Sequence, residues 1–163
     1  MKKLFIATLI CLNSLNIMAQ DDARWMRNPS ISPDGLKIVF SYHGNLYSVD
    51  SAGGNAVAIT TGDAYDGYPV WSHDGKTIAF SSDRYGNFDV FSIPAQGGMP
   101  TRLTFNSSND FPYDFTIDDK SVLFGSGRDA PASSVRFPMP RLFQNLYSVP
   151  INGGRPVLVS AAG

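Results

Sequence analysis

Few residues in this chain carry catalytic chemistry, and their spacing argues against a catalytic site. The run Phe124-Gly125-Ser126-Gly127-Arg128 sets a serine between glycines. A nucleophile elbow instead needs its glycines two residues to either side of the serine, on a strand-to-helix turn. The two histidines stand in separate turn signals, His43 before Gly44-Asn45 and His73 before Asp74-Gly75. With one cysteine and no glutamate, they lack the partners that a zinc site draws on. Asp63, Asp66, Asp110 and Asp114 lie in segments leading into repeated units. Such loops can give oxygen ligands to calcium, but aspartate also closes ordinary turns by bonding its own backbone. The turn reading accounts for all four. No catalytic, cofactor-binding or metal-binding residue is assigned, and no cofactor is expected.

The elements that would position these residues are announced by repetition. Ser30 to Phe40 reads SISPDGLKIVF, Val70 to Phe80 reads VWSHDGKTIAF and Asp114 to Phe124 reads DFTIDDKSVLF. Asp34, Asp74 and Asp118 are spaced by 40 and 44 residues, as are Phe40, Phe80 and Phe124. Each copy continues into a second strand-like stretch and a glycine pair at Gly53-Gly54, Gly97-Gly98 or Gly153-Gly154. Each then closes on a hydroxyl, at Thr60, Thr104 and Ser160. A period in the forties with four short strands per unit marks a propeller blade.

The second copy predicts strands over Pro69–Ser72, Thr77–Ser82, Phe88–Pro94 and Pro100–Thr104, with His73-Asp74-Gly75 as the first turn. Ile31, Trp71 and Phe115 share one register position, which suits packing between blades, although Trp71 could also stack on a ligand. Asp119 replaces the turn glycine and predicts a less ideal corner in the third copy. The fold class is all-β: three four-stranded blades, at roughly 24–64, 65–108 and 109–163, of an incomplete six- or seven-bladed ring. The expectation is a truncated propeller continued by further sequence. A homodimer of two three-blade halves is the alternative closure.

Composition agrees. All 14 acids are aspartate, a turn and cap residue, and there are 15 glycines and 11 prolines. Residues 1–19 read as a signal peptide: Lys2-Lys3, an apolar run to Met18, and a small residue, Ala19, at the cleavage point. Cys11 falls within it, so no disulfide is expected in the mature chain. Removing Lys2 and Lys3 leaves 11 basic against 14 acidic residues. No basic patch suits nucleic acid. The expected location is exported: periplasm or cell envelope.

The segments Pro69 to Val90 and Gly97 to Thr104 resemble the propeller repeats of the TolB and tricorn-protease group. The first blade follows almost directly on the leader, with Trp25 to Pro29 opening into Ile31-Ser32-Pro33-Asp34-Gly35. That opening, with Ser81 to Asp89, is most similar to exported tricorn-like serine peptidases. The resemblance implies a non-catalytic propeller that scaffolds or gates peptide access to a downstream PDZ module and serine-peptidase core. Its partners would be those downstream domains and a peptide or protein substrate. The competing implication is a TolB-like envelope protein-binding propeller without enzymatic activity.

The third copy is lengthened between Arg128 and Gln144, where three prolines alternate with basic and apolar residues. Long loops on rigid scaffolds often carry recognition. Arg128, Arg136, Phe137, Arg141 and Phe143 are the expected partner contacts there, against a second reading in which the loop packs on a neighbouring domain.

Overall fold

The computed structural model describes residues 25–128 and 145–160. Within them every regular element is a strand, and the strands form three four-stranded antiparallel sheets. The first blade contains β1 (Arg27–Ile31), β2 (Lys37–Tyr42), β3 (Asn45–Asp50) and β4 (Val57–Ala58). The second contains β5 (Asp66–Trp71), β6 (Thr77–Ser82), β7 (Asp89–Pro94) and β8 (Thr101–Arg102). The third contains β9 (Asp110–Phe115), β10 (Ser121–Ser126), β11 (Asn145–Pro150) and β12 (Val157–Ser160). Each sheet meanders in chain order, and each first strand packs beside the first strand of the next blade.

The repeated tripeptides Ser32-Pro33-Asp34, Ser72-His73-Asp74 and Thr116-Ile117-Asp118 explain the first hairpin of every blade. Each hydroxyl donates to the aspartate two residues on, at 2.6–2.7 Å. The same hydroxyl accepts the amide N–H of the first residue of the following strand, at 2.9–3.1 Å. The aspartate in turn accepts from Leu36, Lys76 or Lys120, at 3.0–3.2 Å. Side chains thus replace the backbone partners that the turn removes.

Two strands differ from the expected bounds by more than one residue, for identifiable reasons. β5 begins at Asp66, three residues before the expected Pro69, because the strand runs through a bulge. Tyr68 and Pro69 occupy the irregular step between the Gly67–Ser81 and Val70–Ala79 pairs, and Tyr68 takes a φ of 55°. Proline cannot donate to a ladder and reads locally as a strand end. The outer strand β8 is reduced to two residues of the expected Pro100–Thr104. The N–H groups of Leu103 and Thr104 both turn to the carbonyl of Val90. The Thr104 hydroxyl then accepts the N–H of Val90 at 2.9 Å. In the first blade Thr60 does the same for Leu46, also at 2.9 Å. The closing hydroxyl of the first two repeats is a lateral cap.

The core lies between blades. Val39, Leu46 and Ile59 of the first blade pack on Trp71, Ile78, Phe80, Phe91 and Ile93 of the second. Ala79, Val90 and Leu103 of the second pack on Phe115, Val122, Phe124, Tyr147 and Val149 of the third. These sets correspond position for position under the repeat. Trp71 is 8% exposed and donates its indole N–H to the Ser30 carbonyl across the joint at 3.1 Å. Its ring is therefore packing material. Trp71→Ala is expected to lower stability by about 3–5 kcal/mol, from the lost burial and the cavity left behind. Urea unfolding checks this; a loss below about 1 kcal/mol would show that the joint does not depend on the ring.

Asp119 adopts the left-handed conformation, φ 54°, that Gly35 and Gly75 hold in the other copies. Its carboxylate explains the substitution. It accepts the N–H groups of His73 and Asp74 at 2.8 and 2.9 Å, and faces His73 Nδ1 at 2.8 Å. The corner expected to be poor is a stitch between the second and third blades. The hydrogen bond that His73 Nδ1–H donates to Asp119 raises the pKa of His73 above its ordinary 6.5. For Asp119, burial pushes the carboxyl up, but the bonds from His73 and Asp74 outweigh it and leave the group below its ordinary 3.8.

The imidazole contribution is complete below pH 6.5 and is lost as pH rises through the raised folded value. The carboxylate contribution is present above pH 3.8 and is lost as pH falls through the depressed one. Melting temperature should thus decline as pH rises from 6.5 through the raised value in the native chain, and this decline should vanish in Asp119→Gly. An unchanged slope in that variant would show that the stitch does not set the pH response.

Candidate interaction face at the loop end of the blades

The polar run Ser81 to Asp89, the densest motif in the sequence, is consumed by the frame. Ser81 Oγ donates to the Asp110 carbonyl across the joint at 2.9 Å, as Ser41 Oγ does to Asp66 at 2.8 Å. Asp83 accepts the N–H of Tyr65 at 2.7 Å. Asn87 Nδ2 donates to the carbonyls of Asn106 and Ser108 at 2.9 and 3.0 Å, pinning the connector to the third blade. Asp89 pairs with Arg102 at 2.6 Å. This motif is a joint.

A further unit, missed in the sequence reading, recurs in the second and third blades. Asp66 binds Arg84 Nη2 through both oxygens, at 3.0 and 3.2 Å, while Ser82 Oγ accepts Arg84 Nε at 2.9 Å. Asp110 pairs with Arg128, whose Nε donates to Ser126 Oγ at 3.1 Å. Each guanidinium also lies over its blade's cross-strand aromatic pair. Arg84 is 4.7 Å from the Phe91 centroid and 5.9 Å from Phe80; Arg128 is 4.9 Å from Phe124 and 5.1 Å from Tyr147. Burial pushes the carboxyls of Asp110 and Asp89 up, against the pull of their arginines. The identical 44-residue offset between Asp66, Ser82, Arg84 and Asp110, Ser126, Arg128 was the available signal.

This arrangement places the candidate residues. Ser126 is buried at the end of β10 as a partner of Arg128 and faces no histidine. Arg128, expected at a partner surface, has a side chain only 10% exposed and is engaged inside the third blade. Arg136, Phe137, Arg141 and Phe143 lie outside the described residues. Of the four aspartates weighed for calcium, Asp66 and Asp110 hold arginines instead. Among the described residues no three metal-ligating side chains converge. His43 rests beside the ring of Tyr42, with centroids 4.3 Å apart.

What the frame leaves outside it is aromatic. At the end where the β6–β7 hairpin and the interblade connectors lie, Tyr65, Phe88, Phe111 and Tyr68 form a chain of ring contacts. Successive centroids are 6.0, 5.6 and 5.0 Å apart. Tyr68, held at positive φ by the bulge, is 42% exposed. A cleft of about 280 Å³ lined by Trp25, Arg27, His43 and Tyr65 extends the same end into the first blade. Among the described residues this face is mainly aromatic, with Arg27 and His43 in its cleft.

Residues 23–162 match the tricorn protease N-terminal beta propeller domain. The chain belongs to that family. Among curated relatives, an uncharacterized peptidase, YuxL of Bacillus subtilis (strain 168), is 31% identical over 97 residues, 53% of this chain and 14% of its own length. Among solved structures, TolB from Acinetobacter baumannii superposes with a TM-score of 0.59 at 23% identity, over 84% of this chain and 33% of that one. The tricorn protease gives 0.56 at 16% identity, over 77% of this chain and 13% of that one. The two structural likenesses establish the fold. The chain spans a third or less of the length of each of these proteins.

Loss of Arg84 would leave a buried carboxylate uncompensated. Arg84→Met is expected to cost about 3 kcal/mol, and adding Asp66→Asn should recover most of it. Chemical denaturation of both variants tests this; a double variant as unstable as the single one would show that aromatic stacking, not charge, is what the arginine supplies.

Proposed function

We propose that this chain is the amino-terminal propeller of an exported tricorn-like serine peptidase, where it is a non-catalytic scaffold that receives peptide on its way to a downstream catalytic domain. The observation that carries the reading is the aromatic chain from Tyr65 to Tyr68, half-buried apart from the exposed Tyr68 and set at one end of the blades. Tyrosine and phenylalanine give large contact area at low entropic cost, and such surfaces hold extended peptides without a strict sequence requirement. Family membership and the peptidase relative support the parent activity. The leader-like residues 1–19 support export, with Gln20 as the mature terminus.

The experiment uses the intact exported protein. Tyr68→Ala with Phe111→Ala should lower kcat/KM by about tenfold for unfolded polypeptides while leaving short chromogenic peptides unaffected, a loss of about 1.4 kcal/mol in transition-state stabilisation. Equal loss on both substrates, or none on either, would overturn the receiving role. A protein without peptidase activity that instead retains an envelope protein through this face would support the TolB-like alternative.

A further inference from the structure

The joint between the first and second blades differs from the next joint at the end opposite the aromatic chain. Between the second and third blades, the Asp119 carboxylate ties down two N–H groups and one imidazole. In the first joint the corresponding places hold Pro33, which has no N–H to give, and Gly75, which has no carboxylate. A Cβ built on Gly75 would sit 3.8 Å from Pro33 Cδ, so the two turns face each other without a bond. The walls differ as well. Where the second blade offers Thr77 and Pro94, the first offers Lys37 and Asp50, an ion pair at 2.8 Å.

The unstitched joint opens into a cleft of about 760 Å³. Ile59 and the rim of Trp71 form its apolar floor, and Asp34, Asp50, Asp74 and Lys37 its charged walls. Lys76 approaches Asp74 at 3.4 Å with its own side chain 79% exposed, and the imidazole of His73 is turned to Asp119. Carboxylates therefore predominate. Asp34 is held below the usual range by the Ser32 hydroxyl, and Asp74 by the Lys76 amide, so both stay ionised at neutral pH.

We propose that this cleft binds an extended peptide segment bearing a basic side chain, its alkyl stem on the Ile59–Trp71 floor and its cationic head against Asp34 and Asp74. The site is independent of the aromatic face, lying at the other end of the blades. A groove with an apolar floor and fixed polar groups is the usual form of a small-ligand site, and the excess of carboxylate selects the sign of the guest.

The test titrates the intact protein by calorimetry with acetyl-Leu-Arg-Leu-amide and with its neutral analogue acetyl-Leu-Gln-Leu-amide. The arginine peptide should bind at least tenfold more tightly, and the margin should shrink as salt rises from about 50 to about 500 mM. Transplanting the stitch of the next joint, as Pro33→His with Gly75→Asp, should close the cleft and abolish the preference while leaving the response of the aromatic-face variants unchanged. Asp34→Asn and Asp74→Asn, each expected to weaken the arginine peptide severalfold, decide the matter if the stitched variant does not fold. Equal affinity for the two peptides, or a preference that survives both the stitch and the two asparagine variants, overturns the proposal.

Discussion

Each sheet of this molecule has a face that its own strands cannot bury, and everything else follows from how the next sheet covers it. Three aliphatic side chains of one blade, Val39, Leu46 and Ile59 or Ala79, Val90 and Leu103, enter a bed of five apolar and aromatic ones on its neighbour. Burial of that area is the main favourable term. It is not directional, so a separate device must fix how far one sheet slides along the next. Asp66 and Asp110 are that device. Each begins a blade, donates its N–H to the hairpin of the preceding blade at 2.7 Å, and accepts a serine hydroxyl on its carbonyl.

The same two aspartates carry the charge that the arginines of the next hairpin neutralise, so one residue fixes register between blades and anchors a loop within its own. Removing the arginine would strand a carboxylate among aromatic rings, where desolvation is costly. This economy explains why the conspicuous polar motif of the second blade contains no reactive group. It also leaves recognition to whatever the frame does not need: rings at one end and an unstitched joint at the other.

Much of this was legible in the amino-acid order. The Ser-x-Asp turns, the glycine pairs and the recurring Phe40, Phe80 and Phe124 announced four-stranded units, and the repeat period announced their arrangement. What the order concealed were contacts that join distant copies. Asp119 read as a defect because its value lies 45 residues away, at the N–H of Asp74. Arg128 read as surface because it opens a long loop, whereas its partner Asp110 lies 18 residues earlier in another strand. The bulge at Tyr68-Pro69 read as a strand boundary, since a proline locally signals interruption whether or not the ladder resumes.

The outer strands differ in a way that bears on solubility. In the first two blades the outermost strand is two residues long, and a threonine hydroxyl occupies the N–H beside it. That leaves little backbone for a foreign chain to pair with. β12 runs for four residues, with Val157, Leu158 and Val159 all about half exposed or more. Among the described strands this longer apolar edge offers more backbone for strand addition than β4 or β8.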